Sequence, residues 1–162
     1  MGNQNNIIIG AASLSIDGVD VGFTQGGVSM RKANEYVDVD ADQLAGVAKK
    51  VSTFERMFVS TTMLEMTITN MLRIMNEPNS NSINGSTLAF GSGDPVTREY
   101  ELTVTGDGPS GTTRTYTFYR AISVDEIDHM IGSREAASVL PVGFELLKDP
   151  AHANQFGFFV DT

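Results

Sequence analysis

The chain has 162 residues and a net charge of −9, from 11 basic and 20 acidic side chains, with no cysteine. That length suits one domain able to bury roughly 68–70% of its unfolded surface. The charge argues against phosphate-backbone binding, which depends on Lys and Arg, and the missing thiols exclude disulfides, thiol catalysis and cysteine-ligated metal. The start, Met1-Gly2-Asn3-Gln4-Asn5-Asn6, has no basic or long apolar leader, and Asn6 stands where an acylation signal has Ser or Thr. No apolar run approaches the ~20 residues of a membrane span. The expectation is a soluble, unlipidated protein of one domain, 1–162, in which residues 1–10 form a flexible or extended N-terminal arm.

Leu14 and Ile16, then Asp17-Gly18, then Val19, Val21 and Phe23 predict two short strands joined by a type I′ turn. Gly26-Gly27 breaks the chain. Tyr36-Val37-Asp38-Val39-Asp40 alternates, which predicts a strand with one buried and one wet face. From Ala41 to Ser52 the sequence reads as a loop too apolar to be fully solvated, and Thr53 to Ser60 reads as a strand. Thr62-Met63-Leu64-Glu65 has capping-box spacing, and Leu64, Ile68, Met71, Leu72 and Met75 follow as one apolar stripe, so a helix is expected over about 62–76. Asn79 to Asn84 and Gly91 to Pro95 are turn-rich, around a short strand at Ser86 to Phe90. Tyr100, Leu102 and Val104, a Gly106-to-Gly111 turn, then Tyr116, Phe118 and Ile122 predict a long hairpin. Ser138 to Leu147 reads as a strand with an edge or bulge at Pro141, and Phe156 to Val160 as a last strand. The fold class is mainly β: an antiparallel sandwich or curled barrel with one flanking α-helix.

The chemical inventory is sparse. His129 and His152 are the sole histidines, and neither stands in a triad-like motif; a hydrogen-bonded or solvated histidine is the simpler reading of His129. No nucleophile elbow, phosphate loop or dinucleotide fingerprint is present. Asp38, Asp40 and Asp42 match the first positions of a calcium loop, but Gln43 and Lys49 occupy its Gly and Glu positions. Asn84-Gly85-Ser86 matches a glycosylation acceptor cheaply. The reading is therefore of a non-enzyme without cofactor or metal. Apolar material around Leu44 to Val47 and in the Phe-rich C-terminal stretch suits either an interface or an inward-folded core.

Ser13 to Val28 resembles the opening hairpin and Gly-rich bend of phage tail-tube (major tail) proteins, and Leu140-Pro141-Val142-Gly143-Phe144-Glu145-Leu146-Leu147-Lys148-Asp149-Pro150 is similar to that family's closing strand. The resemblance implies a virion structural protein whose six copies close into rings, the rings stacking into a conduit for genome ejection. It implies as partners other copies of the chain, a tape measure protein and tail terminator or initiator proteins, with DNA only in passage and no membrane. It implies a place in the virion tail, after assembly in the bacterial cytoplasm. It also implies that the loop after Asp40 reaches a neighbouring subunit, which marks Asp42, Gln43, Leu44, Val47, Lys49 and Lys50 as interface residues. An acidic lumen would repel passing phosphates, and Asp38, Asp40, Glu99 and Glu101 are candidates to line it. A carbohydrate- or ligand-binding β-sandwich is the alternative, disfavoured by the absence of tryptophan.

Overall fold

The structure, a computed structural model, describes residues 10–40, 46–77, 82–83, 86–91, 97–124, 126–128 and 138–162. Among the described residues, ten strands and one α-helix run in the order β1 (Ala12–Ile16), β2 (Val19–Asp20), β3 (Thr24–Asp40), β4 (Val47–Met63), α1 (Ile68–Ile74), β5 (Ser82–Ile83), β6 (Thr87–Leu88), β7 (Tyr100–Asp107), β8 (Thr113–Ser123), β9 (Leu140–Leu146) and β10 (Gly157–Asp161). β5 and β6 pair with each other, and the other eight strands form one antiparallel sheet ordered β2-β1-β7-β8-β9-β4-β3, with β10 attached to β8. The mainly-β class with a single helix, expected from the alternation, is what the chain adopts.

The sheet forks at β8. Arg114 to Phe118 pair with β10, whereas Ala121 to Ser123 pair with β9, so β9 and β10 share one edge of the same strand. Two leaves diverge from that fork, β2-β1-β7-β8-β10 and β8-β9-β4-β3. On the far side the curl brings β1 against β3, where the Thr24 hydroxyl donates to the Ala12 carbonyl at 3.4 Å, but no ladder joins the two strands and the barrel stays open. Between the leaves Leu14, Ile16, Val59, Met63, Leu102, Leu140 and Phe144 are essentially sealed from solvent. Each lies at an alternate position of its strand, and Ile74 of α1 and Val21 after β2 complete the core.

Local chemistry explains where elements start and stop. Asp17 and Gly18 both take positive φ, 51° and 72°, as the expected I′ turn demands. Gly22 at φ 84° then swings the chain out, held by its N–H donating to the Asp20 carboxylate. This ends β2 early and leaves Val21 buried but Val19 and Phe23 exposed, where the sequence pattern placed all three on one face. The helix is also shorter than expected. Thr62 and Met63 continue β4, opposite Pro141 and Leu140, because Met63 is a fully buried core residue. Thr67 is the N-cap instead, its hydroxyl accepting from the Asn70 N–H at 3.2 Å, and the buried face is Asn70, Leu72 and Ile74 rather than the five-residue stripe. At Pro141 β9 is flanked by β4 alone, since β8 joins β9 only from Phe144 onward; the missing N–H falls where the strand has one neighbour, as its edge character implied.

Candidate assembly surface

β3 and β4 form a hairpin of two 17-residue strands, but β9 covers β4 only from Met57 to Met63. Val47 to Phe54 and the opposing half of β3 therefore stand clear of the body as a two-stranded arm, about 25 Å long at 3.3 Å per residue. This corrects the reading of Ala41 to Ser52 as a loop. Val47 to Ser52 continue β4, because the alternating Tyr36 to Asp40 stretch supplies a partner strand for them: Val37 faces Val51, Asp38 faces Lys50 and Val39 faces Lys49. Asp42, Gln43 and Leu44 lie outside the described residues.

Polarity inverts along this hairpin. In the body, the inward face carries Met30 and Val59, then Lys32 and Met57, then Asn34 and Glu55. Thr53 is skipped in a bulge between the pairs Glu35–Phe54 and Tyr36–Ser52, and the face continues as Tyr36, whose hydroxyl accepts from the Asn34 amide at 3.2 Å, and the Asp38–Lys50 ion pair at 2.7 Å. The core face thus becomes polar. The outer face does the opposite, passing from Ser29 and Ser60 through Arg31, Phe58, Ala33 and Arg56 to Phe54 beside Glu35, then Val37 and Val51, and Val39 beside Lys49. Arg56 lies over the Phe54 ring at 4.9 Å, covering part of it. The remainder is open: Phe54 is 46% exposed, Val37 53% and Val39 45%. The expectation that one face of Tyr36–Asp40 is buried is not met within a single chain, since both faces of the arm meet solvent.

The four acidic candidates are not brought together. Asp38 and Asp40 sit on the arm, Asp38 paired with Lys50. Glu99 precedes β7 and receives a two-pronged contact from the Arg120 guanidinium, 2.7 Å at each oxygen, which holds its carboxyl below the ordinary range. Glu101 lies in β7, its N–H donating to the Asp17 carboxylate. Further ion pairs tie the leaves to the arm's base. Glu55 takes Lys32 and Lys148 together, and the two ammonium groups lower its pKa.

His152 stacks on Tyr119 with ring centroids 3.9 Å apart, and its Nδ1 meets the Asp149 carboxylate at 2.5 Å. It packs a turn against β8. His129 lies outside the described residues. Among the described residues no three His, Cys, Asp or Glu side chains converge as a metal cage, and no helix is long and apolar enough to cross a membrane.

No family model and no curated protein matches the chain. Among solved structures it is similar to a chain in a cryo-EM structure of the anti-feeding prophage baseplate, 6-fold symmetrised, with a TM-score of 0.54 over 99% of this chain and 97% of that one at 6% identity. At that identity the likeness defines a shared fold spanning both chains from end to end.

Proposed function

We propose that the chain is a non-enzymatic structural subunit of a phage-type tail, assembling with copies of itself into rings that stack as a tail tube. The observation that carries this is the arm, a strand pair whose apolar face has no cover among the described residues. A second copy provides the cover. The fold likeness supports the same reading, because the neighbour belongs to a six-fold symmetrised, phage-derived assembly. In the tube, Lys49, Lys50, Val47 and the adjoining Asp42-Gln43-Leu44 engage a neighbouring subunit. Tape measure, terminator and initiator proteins are the proposed further partners, and the virion tail the proposed location.

Of the residues proposed to line an acidic conduit, Asp38 and Glu99 already carry cationic partners. Asp40 and Glu101 then supply the uncompensated charge that keeps DNA phosphates from adhering.

Electron microscopy of concentrated protein tests the proposal. Rings or tubes about 100 Å wide, the size expected of six such domains around a DNA-wide channel, are the expected outcome. Particles that stay monomeric at every salt and concentration refute it. Deleting Asp42–Lys50 shortens the arm without touching the core, so a folded monomer is expected; tubes that persist would remove the arm from the interface.

A further inference from the structure

The arm has a counterpart at the opposite end of the same hairpin. Where β3 begins, the open seam between β1 and β3 holds a groove of about 580 Å³ lined by Ala12, Ser13, Asp20, Phe23, Thr24 and Glu65, among others. Phe23 stands at its side 74% exposed. Two carboxylates reach into it, and each uses one oxygen on a backbone N–H: Asp20 Oδ1 accepts from Gly22 at 2.9 Å and Glu65 Oε1 from Phe23 at 3.2 Å. Among the described residues neither forms an ion pair. On the arm the converse holds. Lys49 shares the apolar face with Val37, Val39 and Val51, and it has no ion-pair partner among the described residues. Near its tip the arm face offers exposed valines with a spare cation, Glu35 lying further down beside Phe54, and the groove offers an exposed phenylalanine with two spare anions.

We infer that the arm of one copy docks in the β1–β3 groove of the next, Val39 and Val51 packing on Phe23 while Lys49 meets Glu65 and Asp20. This rests on the self-assembly reading and names the surface that receives the arm. Geometry forbids the contact within one chain. β3 runs from Thr24 at the groove to Asp40 at the tip, about 50 Å of extended backbone. A patch that fits a different patch on an identical molecule makes a head-to-tail contact, and such contacts propagate along a line or close a ring. A groove this close to the unpaired edges of β1 and β3 also gives the incoming strand pair free backbone groups to meet.

Charge reversal and crosslinking test this in the full chain. Lys49→Glu, Asp20→Lys and Glu65→Lys are each expected to lower the assembled fraction at least about tenfold, the effect of placing like charges in contact. Combining Lys49→Glu with Asp20→Lys or with Glu65→Lys should restore it to within about twofold. Because the chain has no cysteine, Phe23→Cys with Val39→Cys reports the contact directly: on oxidation a ladder of covalent oligomers should appear, absent from either single variant. Unfolding midpoints separate misfolded variants from dissociated ones. Tubes that form without a ladder, or charge swaps that recover in neither combination, overturn the docking while leaving the tube intact. A parent chain that never assembles overturns both.

Discussion

Asn70 joins the helix to the sheet. Only 3% exposed, its amide donates to the Val21 carbonyl at 2.9 Å and to the Glu65 carbonyl at 3.1 Å, while its own N–H is held by Thr67. Replacing it with leucine leaves two carbonyls without that donor and should cost about 1–3 kcal/mol in urea unfolding. Thr67→Ala, which removes the cap alone, should cost about 1 kcal/mol in the same measurement. Neither residue stands out in the sequence. Asn70 falls off the apolar stripe and so reads as a solvent position, and Thr67 is overshadowed by the better-spaced Thr62–Glu65 pair. A capping box is a local signal, and burial of Met63 in β4 overrode it.

At the scale of elements, the proposed role of the arm can be tested apart from stability. Phe54→Ser or Val37→Ser changes a surface position, so the unfolding free energy of the isolated subunit should move by no more than about 0.5 kcal/mol while assembly measured by sedimentation falls sharply. Phe144→Ala should show the reverse order of effects, costing about 3–5 kcal/mol because a fully buried ring is lost from between the leaves. The alternation of Tyr36 to Asp40 was legible as a strand. That its partner is Val47 to Ser52 was not, since Ala48 and Thr53 sit at register shifts that break the period-two pattern on β4. The same bulges blur the exposed apolar face, and alternation distinguishes two faces without saying whether the apolar one is covered by the same chain or another.

Across the whole molecule, acid acts on a small set of ion pairs. Glu55 beside Lys32 and Lys148, Glu99 beside Arg120, Asp149 beside His152 and Asp161 beside Arg114 all have pKa values below their ordinary range. The unfolded chain therefore binds protons at these sites before the folded one does. Their contribution is complete above the unfolded carboxylate range, about pH 4, and is lost as pH falls through the depressed folded values. Thermal melts from pH 7 down to 3 should stay flat and then decline below about pH 4; a melting temperature that holds to pH 3 would show these pairs to be neutral for stability. The hairpins at Asp17-Gly18 and Gly106–Gly111 were legible because turn chemistry is local. The fork at β8 was not, because strand neighbours distant in sequence leave no pattern in either segment.

That fork has a consequence for timing. β8 acquires β7 at once, but its other edge is shared between β9 and β10, and β10 follows in the chain only after β9 and the Asp149–Gln155 turn. During synthesis from the N-terminus, the Arg114–Phe118 stretch of β8 leaves the ribosome with its second edge bare and stays so until the last strand emerges. A nascent chain thus presents an incomplete leaf, with one edge of β8 open to other strands until β10 closes it.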